Sequence, residues 1–420
     1  MIGSNGRFLW RWAAVLLAFA LLGTACSDDG DDTATTAAPT EAPGTTAEAP
    51  AEAITIGMVL VGPRDDRGWS QAHFEGGQYV AERTGAELIV VDSVNTADKP
   101  ETTVEQVIAD MIDQGADLVF ATSDDMKDGV EIAAESHPDV PMIWSSGDSA
   151  WADGEAYRPD LSNLGNIMGR MEYGKMIAGC AAALQTETGS IGYLGPLIND
   201  ETRRLVASAY LGAKHCWEAE GNSAADLEFA VTWIGFWFQI PGVTLDPTQV
   251  VNEFYDGGAD VVISGIDTTE AIVRGGQRAD AGETVWAIPY DFEGACAEAE
   301  EICLGVPYFN WGPSYLEVAE SVANGTYEAG FQWLGPDWSD INNPDTSAIG
   351  WITGDGLTEE NVATLEAFIG SLADGSLELW TGPLNYQDGT PFLADGEVAS
   401  DQQIWYLDQL LEGIEGASTS

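Results

Sequence analysis

The chain has 420 residues, enough for two or three domains, and 45% of them are apolar, which excludes a disordered polypeptide. Acidic side chains outnumber basic ones 69 to 15, a formal charge of −54, so nucleic acid is excluded as a partner because its phosphates are repelled. No Lys or Arg follows Arg278, and the excess charge reads as surface solvation, not as a site.

Arg7 and Arg11 open the chain, an apolar run covers 12–22, and Gly23-Thr24-Ala25-Cys26 follows. A positive start, an apolar stretch and small residues form a secretory signal peptide over 1–25. The run is too short to span a membrane. Cys26 stands where bacterial lipoproteins carry their lipidated cysteine, although Leu22 lies one place further upstream than that pattern has it. Simple cleavage, with Cys26 incidental, is the alternative. Residues 26–53 are rich in Asp, Thr, Ala, Pro and Glu and hold no aromatic residue, so they cannot bury enough surface to fold and act as a flexible spacer. The expectation is a protein on the extracytoplasmic side of the cell membrane, held there by a lipid anchor.

From residue 54 short apolar strands alternate with helices. Strands are expected at 54–60, 87–91, 117–121 and 140–144, with helices at 71–83, 103–114 and 127–136 between them. The pattern then repeats: helix 168–184, strand 190–194, helix 200–218, strand 227–232, helix 248–256, strand 261–264, helix 268–280, strand 285–288. Near-continuous apolar strands, each followed by a helix, indicate parallel sheets covered on both faces. The fold class is α/β: two doubly wound parallel-sheet lobes with a hinge and a central cleft. The first lobe is assigned to 54–165 with part of 289–330, and the second to 166–288. Residues 289–420 carry a short segment at 306–310 and helices at 313–323 and 358–372; they are expected to cross between the lobes and complete both.

Four cysteines remain in the folded part. Cys296 and Cys303 are close enough to close a small loop, and Cys180 and Cys216 fall on two helices that can be neighbours, which gives the disulfides Cys180–Cys216 and Cys296–Cys303. A zinc site is the rival, disfavoured because no tight Cys-x-x-Cys pair exists and the chain has only 3 histidines. No Gly-x-Ser-x-Gly, phosphate-binding Gly-rich loop or His-Glu-x-x-His occurs, so nothing in the sequence asks for a metal, a cofactor or an enzyme's nucleophile.

Ligands of such sheets bind beyond the carboxyl ends of the strands. Those ends carry Asp66 and Trp69, then Ser123, then Trp233 and Trp237, then Asp267, Asp291 and Trp311. Indole faces sandwich flat rings, and carboxylates accept hydrogen bonds from ring N–H groups or sugar hydroxyls. The set suits a purine base, a nucleoside or a sugar. Each residue alone has a structural alternative, since most Trp pack in cores and Asp66 and Asp267 sit where helix caps occur.

Several segments, taken in order, resemble the basic membrane protein (Bmp) family of ABC-transporter substrate-binding lipoproteins, in its purine-binding branch. They are Asp66-Arg67-Gly68-Trp69-Ser70-Gln71-Ala72-His73, Thr232-Trp233-Ile234-Gly235-Phe236-Trp237-Phe238, Tyr290-Asp291 and Phe309-Asn310-Trp311-Gly312-Pro313-Ser314-Tyr315. Thr381-Gly382-Pro383-Leu384, Asp388-Gly389, Gly396-Glu397 and Leu411-Glu412-Gly413-Ile414 extend the likeness to nearly the whole of 54–416. The resemblance implies a type I periplasmic-binding fold with a three-strand hinge, a purine base or nucleoside as ligand, and an ABC permease as partner. It implies that Trp69 faces the ring from the first lobe and Trp233 or Trp237 from the second. Asp267 and Asp291 would hold polar edges or hydroxyls, and Ser123 would line the floor. The chain departs from the pattern at Asp124-Asp125, at Phe236, and in having no Lys after Lys214. A sensor's receptor domain and an exported nucleoside hydrolase are the alternative functions.

Overall fold

Short runs of apolar residues with no polar face become buried strands, and amphipathic stretches between them become covering helices. The structure, a computed structural model, describes residues 53–97 and 99–419. The expected signal peptide, Cys26 and nearly all of the spacer lie outside the described residues. In chain order the first elements are β1 (Thr55–Val59), α1 (Trp69–Thr84), β2 (Glu87–Val91), α2 (Val104–Asp113), β3 (Leu118–Ala121), α3 (Lys127–Ser136), β4 (Met142–Ser145) and β5 (Leu164–Gly169). There follow α4 (Met171–Gln185), β6 (Ser190–Gly195), α5 (Asp200–Ala219), β7 (Glu228–Trp233), α6 (Pro247–Gly257), β8 (Val261–Ser264), α7 (Glu270–Asp280) and β9 (Trp286–Ile288). The last are β10 (Gly305–Phe309), α8 (Gly312–Ala323), β11 (Phe331–Leu334), β12 (Ile349–Thr353), α9 (Glu359–Ala373), β13 (Leu384–Asn385), β14 (Pro391–Leu393), α10 (Asp401–Trp405) and β15 (Ile414–Glu415).

Two parallel sheets result, in the orders β11-β5-β4-β3-β1-β2 and β15-β7-β6-β8-β9. The central strands β3, β4 and β8 are buried at every residue, as two-sided covering requires. These are the doubly wound lobes expected from the sequence. One boundary is corrected. A helix is expected from 168 and the first lobe to end at 165, but Leu164-Gly165-Asn166-Ile167-Met168-Gly169 is a buried strand of the first sheet, and α4 starts only at Met171. Two glycines and an asparagine hide this strand from an apolar-run criterion. The side chain of Asn166 satisfies itself inside the sheet, donating to the Trp144 carbonyl at 3.2 Å and accepting from the Ala150 N–H at 2.6 Å.

The late segments bridge the lobes. β10 pairs antiparallel with β12, and the ribbon runs beside the β5–α4 crossing, where a Cβ on Gly169 would press on Phe309 and Ile349. Tyr406 donates to Asp148 of the first lobe at 2.5 Å, and Arg203 of α5 donates to the Leu407 carbonyl at 2.6 Å. Arg170, at the crossing itself, holds Asp401 through two bonds of 2.9 and 2.6 Å.

In the second lobe α4 and α5 meet backbone to backbone. A Cβ on Gly179 would overlap the Ala209 carbonyl, and one on Gly212 would overlap that of Met176. The same helix pair carries the Cys180–Cys216 disulfide, and Cys296–Cys303 closes the loop after β9. Both pairings are those expected from the sequence. Among the described residues no helix is long and apolar enough to cross a membrane.

The close crossing of α4 and α5 generates a test. Gly179→Val should lower the unfolding free energy in urea by about 3 kcal/mol or more, because overpacking here forces two helices apart. Gly370→Ala, on an open face of α9, should instead raise it by roughly 0.5–1 kcal/mol through helix propensity.

Candidate functional site

The site starts with the turn after β1. Asp66 accepts the backbone N–H groups of Gly68, Ser70 and Gln71 at 2.9, 3.0 and 2.9 Å, and so fixes the start of α1. The first helical residue is Trp69. Its indole N–H donates to the Thr122 carbonyl at 2.5 Å, which ties the ring to the end of β3. Behind it Phe309 and Trp311 meet the indole edge-on, with centroids 5.1 and 5.4 Å away. Trp311 stacks on His73 at 4.1 Å, His73 is hydrogen-bonded to the Tyr315 hydroxyl at 2.6 Å, and that hydroxyl reaches Ser145 at 3.0 Å. Burial holds His73 well below its ordinary pKa, so this stack is neutral. Ser123 and Asp124 after β3, and Ser146 after β4, complete the first wall. Ser146 adopts a left-handed backbone, φ 65°.

The second wall comes from the ends of β6, β7, β8 and β9 and from the first turns of α5. Asn199 caps α5 by accepting the Thr202 N–H at 2.9 Å, and Thr202 returns a bond to the Asn199 N–H at 3.1 Å. This box sets Glu201, Thr202 and Leu205 along the cavity, with Tyr193 and Pro196 of the β6 end beside them. Gly235, at φ 104°, turns the chain after β7 so that Trp237 enters the cavity. The Asp267 N–H donates to the Trp237 carbonyl at 2.9 Å, so the two loops hold each other. Gly265, Asp267 and Tyr290 close the wall.

Both walls face one narrow cavity between the lobes. The lobes touch across it. Gly68 lies so close to Asp267 that a Cβ there would overlap the Asp267 carbonyl. Asn199 of the second lobe donates to Asp124 of the first at 3.2 Å, and Arg67 pairs with Glu298.

The cavity is lined by acceptors and rings, with no Lys, Arg or His among its lining residues. Asp267 is 4% exposed and its carboxyl makes no hydrogen bond among the described residues. Burial, reinforced by Asp291, Asp66 and Glu201, raises its pKa well above the ordinary value. Glu201 is pushed up to about 7, mainly by burial, against the pull of Arg204. Asp66 is raised to about 6 by burial, with its three N–H donors opposing. Asp124 is likewise raised by burial, with Asn199 opposing. Basic side chains sit beneath the wall. Lys175 of α4 donates to the Ser264 carbonyl at 2.7 Å and lies 3.1 Å from the Tyr290 ring centroid. Burial drives Lys175 well below and Asp291 well above their ordinary values.

Of the sequence-derived candidates, Trp69, Ser123, Trp237 and Asp267 line the cavity together. The other four stand elsewhere. Asp66 is occupied as the cap of α1. Trp311 lies one layer behind Trp69. Trp233 packs on Gly195 and donates to the Ala417 carbonyl at 2.8 Å, away from the cavity. Asp291 is wholly buried at φ 70°, both carboxyl oxygens unpartnered, and its backbone stitches the end of β9 to β10. Reasoning from strand ends passed over Glu201, Thr202 and Tyr193. Glu201 follows a strand end by six residues, and the first turn of the next helix is where it would have been found. Tyr193 falls inside an apolar strand and reads as core.

Two doubly wound lobes closed over a cavity at their strand ends define a type I periplasmic-binding fold. The model of the Bmp family, described as ABC transporter substrate-binding protein PnrA-like, matches residues 53–335, and the chain belongs to that family. A purine-binding protein of Brucella abortus (strain 2308) is 25% identical over 372 residues, 87% of this chain and 93% of its own. A putative ABC transporter glucose-binding protein of Haloferax volcanii is 25% identical over 366 residues, 87% of this chain and 81% of its own. Among solved structures, an ABC transporter system solute-binding protein of Aeropyrum pernix K1 superposes with a TM-score of 0.62 at 13% identity, covering 79% of this chain and 93% of that one. The family consists of extracytoplasmic solute-binding proteins, not enzymes.

The raised carboxyl groups give a pH dependence of stability. Between the ordinary values, 3.8 for Asp66 and 4.5 for Glu201, and the raised ones of about 6 and 7, the folded chain holds more protons than the unfolded one. The unfolding free energy should therefore fall as pH rises through that window, and Glu201→Gln should flatten the upper part of the fall in denaturant titrations. The lobe contact gives another. Gly68→Val should keep the lobes apart, so small-angle scattering should report a larger radius of gyration than wild type with an unchanged unfolding midpoint.

Proposed function

We propose that this chain is the lipid-anchored receptor of an ABC importer, and that it binds a purine base or nucleoside between its lobes. The observation that carries the ligand class is the pair of indoles, Trp69 and Trp237, presented to one cavity from opposite lobes beside the unpartnered carboxyl of Asp267. A flat heterocycle offers faces to the first and N–H or O–H donors to the second. Each stacked face contributes about 0.5–1.5 kcal/mol beyond the area it buries. Ser123 supplies a hydroxyl on the floor, and Trp311 and Asp66 hold Trp69 and its helix in place. Asp291 sets the field beneath Tyr290 without reaching the ligand. The printed description of the Brucella relative favours the same ligand class.

The absence of a cation on the cavity wall argues for an uncharged ligand over a phosphorylated one. Lipid attachment at Cys26, after removal of 1–25, would hold the receptor beside its permease on the spacer of 26–53. Closure then presents a single two-lobed surface to that partner. A monosaccharide is the second reading, favoured by the glucose-binding description of the Haloferax relative and by the ability of carboxylates to accept sugar hydroxyls.

Mass spectrometry of small molecules released on denaturing the purified protein should find a purine or its nucleoside. A hexose in its place would move the ligand to the second reading. In calorimetric titration with that purine, Trp69→Ala should weaken binding by about tenfold or more, with Trp69→Phe between it and wild type. Unchanged affinity in Trp69→Ala would remove this indole from the site.

A further inference from the structure

Glu201 has no partner of its own in a place where buried carboxyl groups ordinarily have one. It is 8% exposed, lines the cavity, and its carboxyl accepts no hydrogen bond among the described residues. Most donors on neighbouring residues are turned to other groups, although the Nη2 of Arg204 is buried with no hydrogen-bond partner. Arg204, one turn along α5, donates to Glu172 at 2.7 Å and lies 4.3 Å from the Trp405 ring centroid. Arg203 pairs with Asp200. Asn199 gives its amide to Asp124 on the facing lobe. Thr202, next in sequence, spends its hydroxyl proton on the Leu197 carbonyl at 2.7 Å.

A carboxylate has two oxygens that accept parallel donors, and filling both gives the strong, geometrically selective form of this contact. Left unfilled in a closed, desolvated cavity, such a group costs free energy. On the reading that the ligand is a purine, two parts of it present adjacent donors. One is a base edge with a ring N–H beside an amino group, as in guanine. The other is the pair of hydroxyls on a ribose.

Resting on that reading, we propose that Glu201 binds two adjacent donors of the ligand, one on each carboxyl oxygen, and so determines which purine ligands this receptor accepts. The groups facing Glu201 are Asp124 after β3, Glu172 on α4, Tyr193 of β6, Arg204 on α5, Asp267 after β8, and Tyr290 and Asp291 after β9. Burial first, and the acidic neighbours after it, raise Glu201 to about 7 against the pull of Arg204, and a doubly donating ligand drives its proton off. Binding therefore releases a proton near pH 7 and weakens as pH falls.

The test is calorimetry with guanosine, inosine and 2′,3′-dideoxyguanosine on wild type and Glu201→Gln, an isosteric change that removes a buried charge. Guanosine should lose about tenfold or more in affinity in the variant. The loss should shrink to within about threefold for one analogue: for inosine, which lacks the amino group, if the base edge is the donor pair, or for the dideoxynucleoside if the hydroxyls are. Titration in two buffers of different ionisation enthalpy should show proton release with wild type near pH 7 and none with the variant. Equal losses for all three ligands, no loss for guanosine, or no proton release with wild type would each overturn the role of Glu201. Absence of proton release with wild type would overturn the role even if the variant does not fold. If wild type binds none of the three, the purine reading itself fails and this inference falls with it.

Discussion

The architecture turns on a contact between two backbones. The turn that starts α1 meets the turn after β8 at Gly68 and Asp267, at a separation that leaves no room for a side chain on residue 68. Every other feature of the cavity follows from that approach. It brings Trp69, fixed by its bond to Thr122, within reach of the same space as Trp237, whose own carbonyl is bonded to the Asp267 N–H. It also allows Asn199 to reach Asp124 and Arg67 to reach Glu298. Closure is thus held by a few polar contacts at the rim, of the kind a ligand's binding energy can tip.

The charge distribution is unusual in a consistent way. The chain is strongly acidic, yet the carboxyl groups that matter are not on its surface but around a cavity from which cations are kept out. Lys175 and Arg204 stand behind the wall, one beneath Tyr290 and the other against Trp405, and neither lines the cavity. A cavity of aromatic faces and free acceptors is matched by a molecule that is flat, rich in N–H or O–H groups, and not anionic.

The segment beyond the family match at residue 335 is structural for both lobes. β15 adds to the second sheet, while Tyr406 and Asp401 reach the first lobe and the crossing. Within the second lobe the α4–α5 contact and its disulfide make a rigid platform, and α5 carries Glu201 on its first turn. The platform places a cavity residue to within the tolerance that hydrogen bonding demands, which a loop does less well.

The sequence by itself determined the alternation of strands and helices, the two-lobed class, both disulfides and four of the residues around the cavity. These are legible because apolar periodicity, strand-end position and cysteine spacing are local properties. It did not reveal β5, whose glycines and asparagine break the apolar run. Nor could it separate Trp69 from Trp311, which both follow strand ends, or Trp237 from Trp233, which share one motif. The layer in which an indole stands depends on contacts between segments hundreds of residues apart. The same holds for Glu201. In sequence it is one acid among 69, and only the tertiary structure left its carboxyl at the cavity without a hydrogen-bond donor.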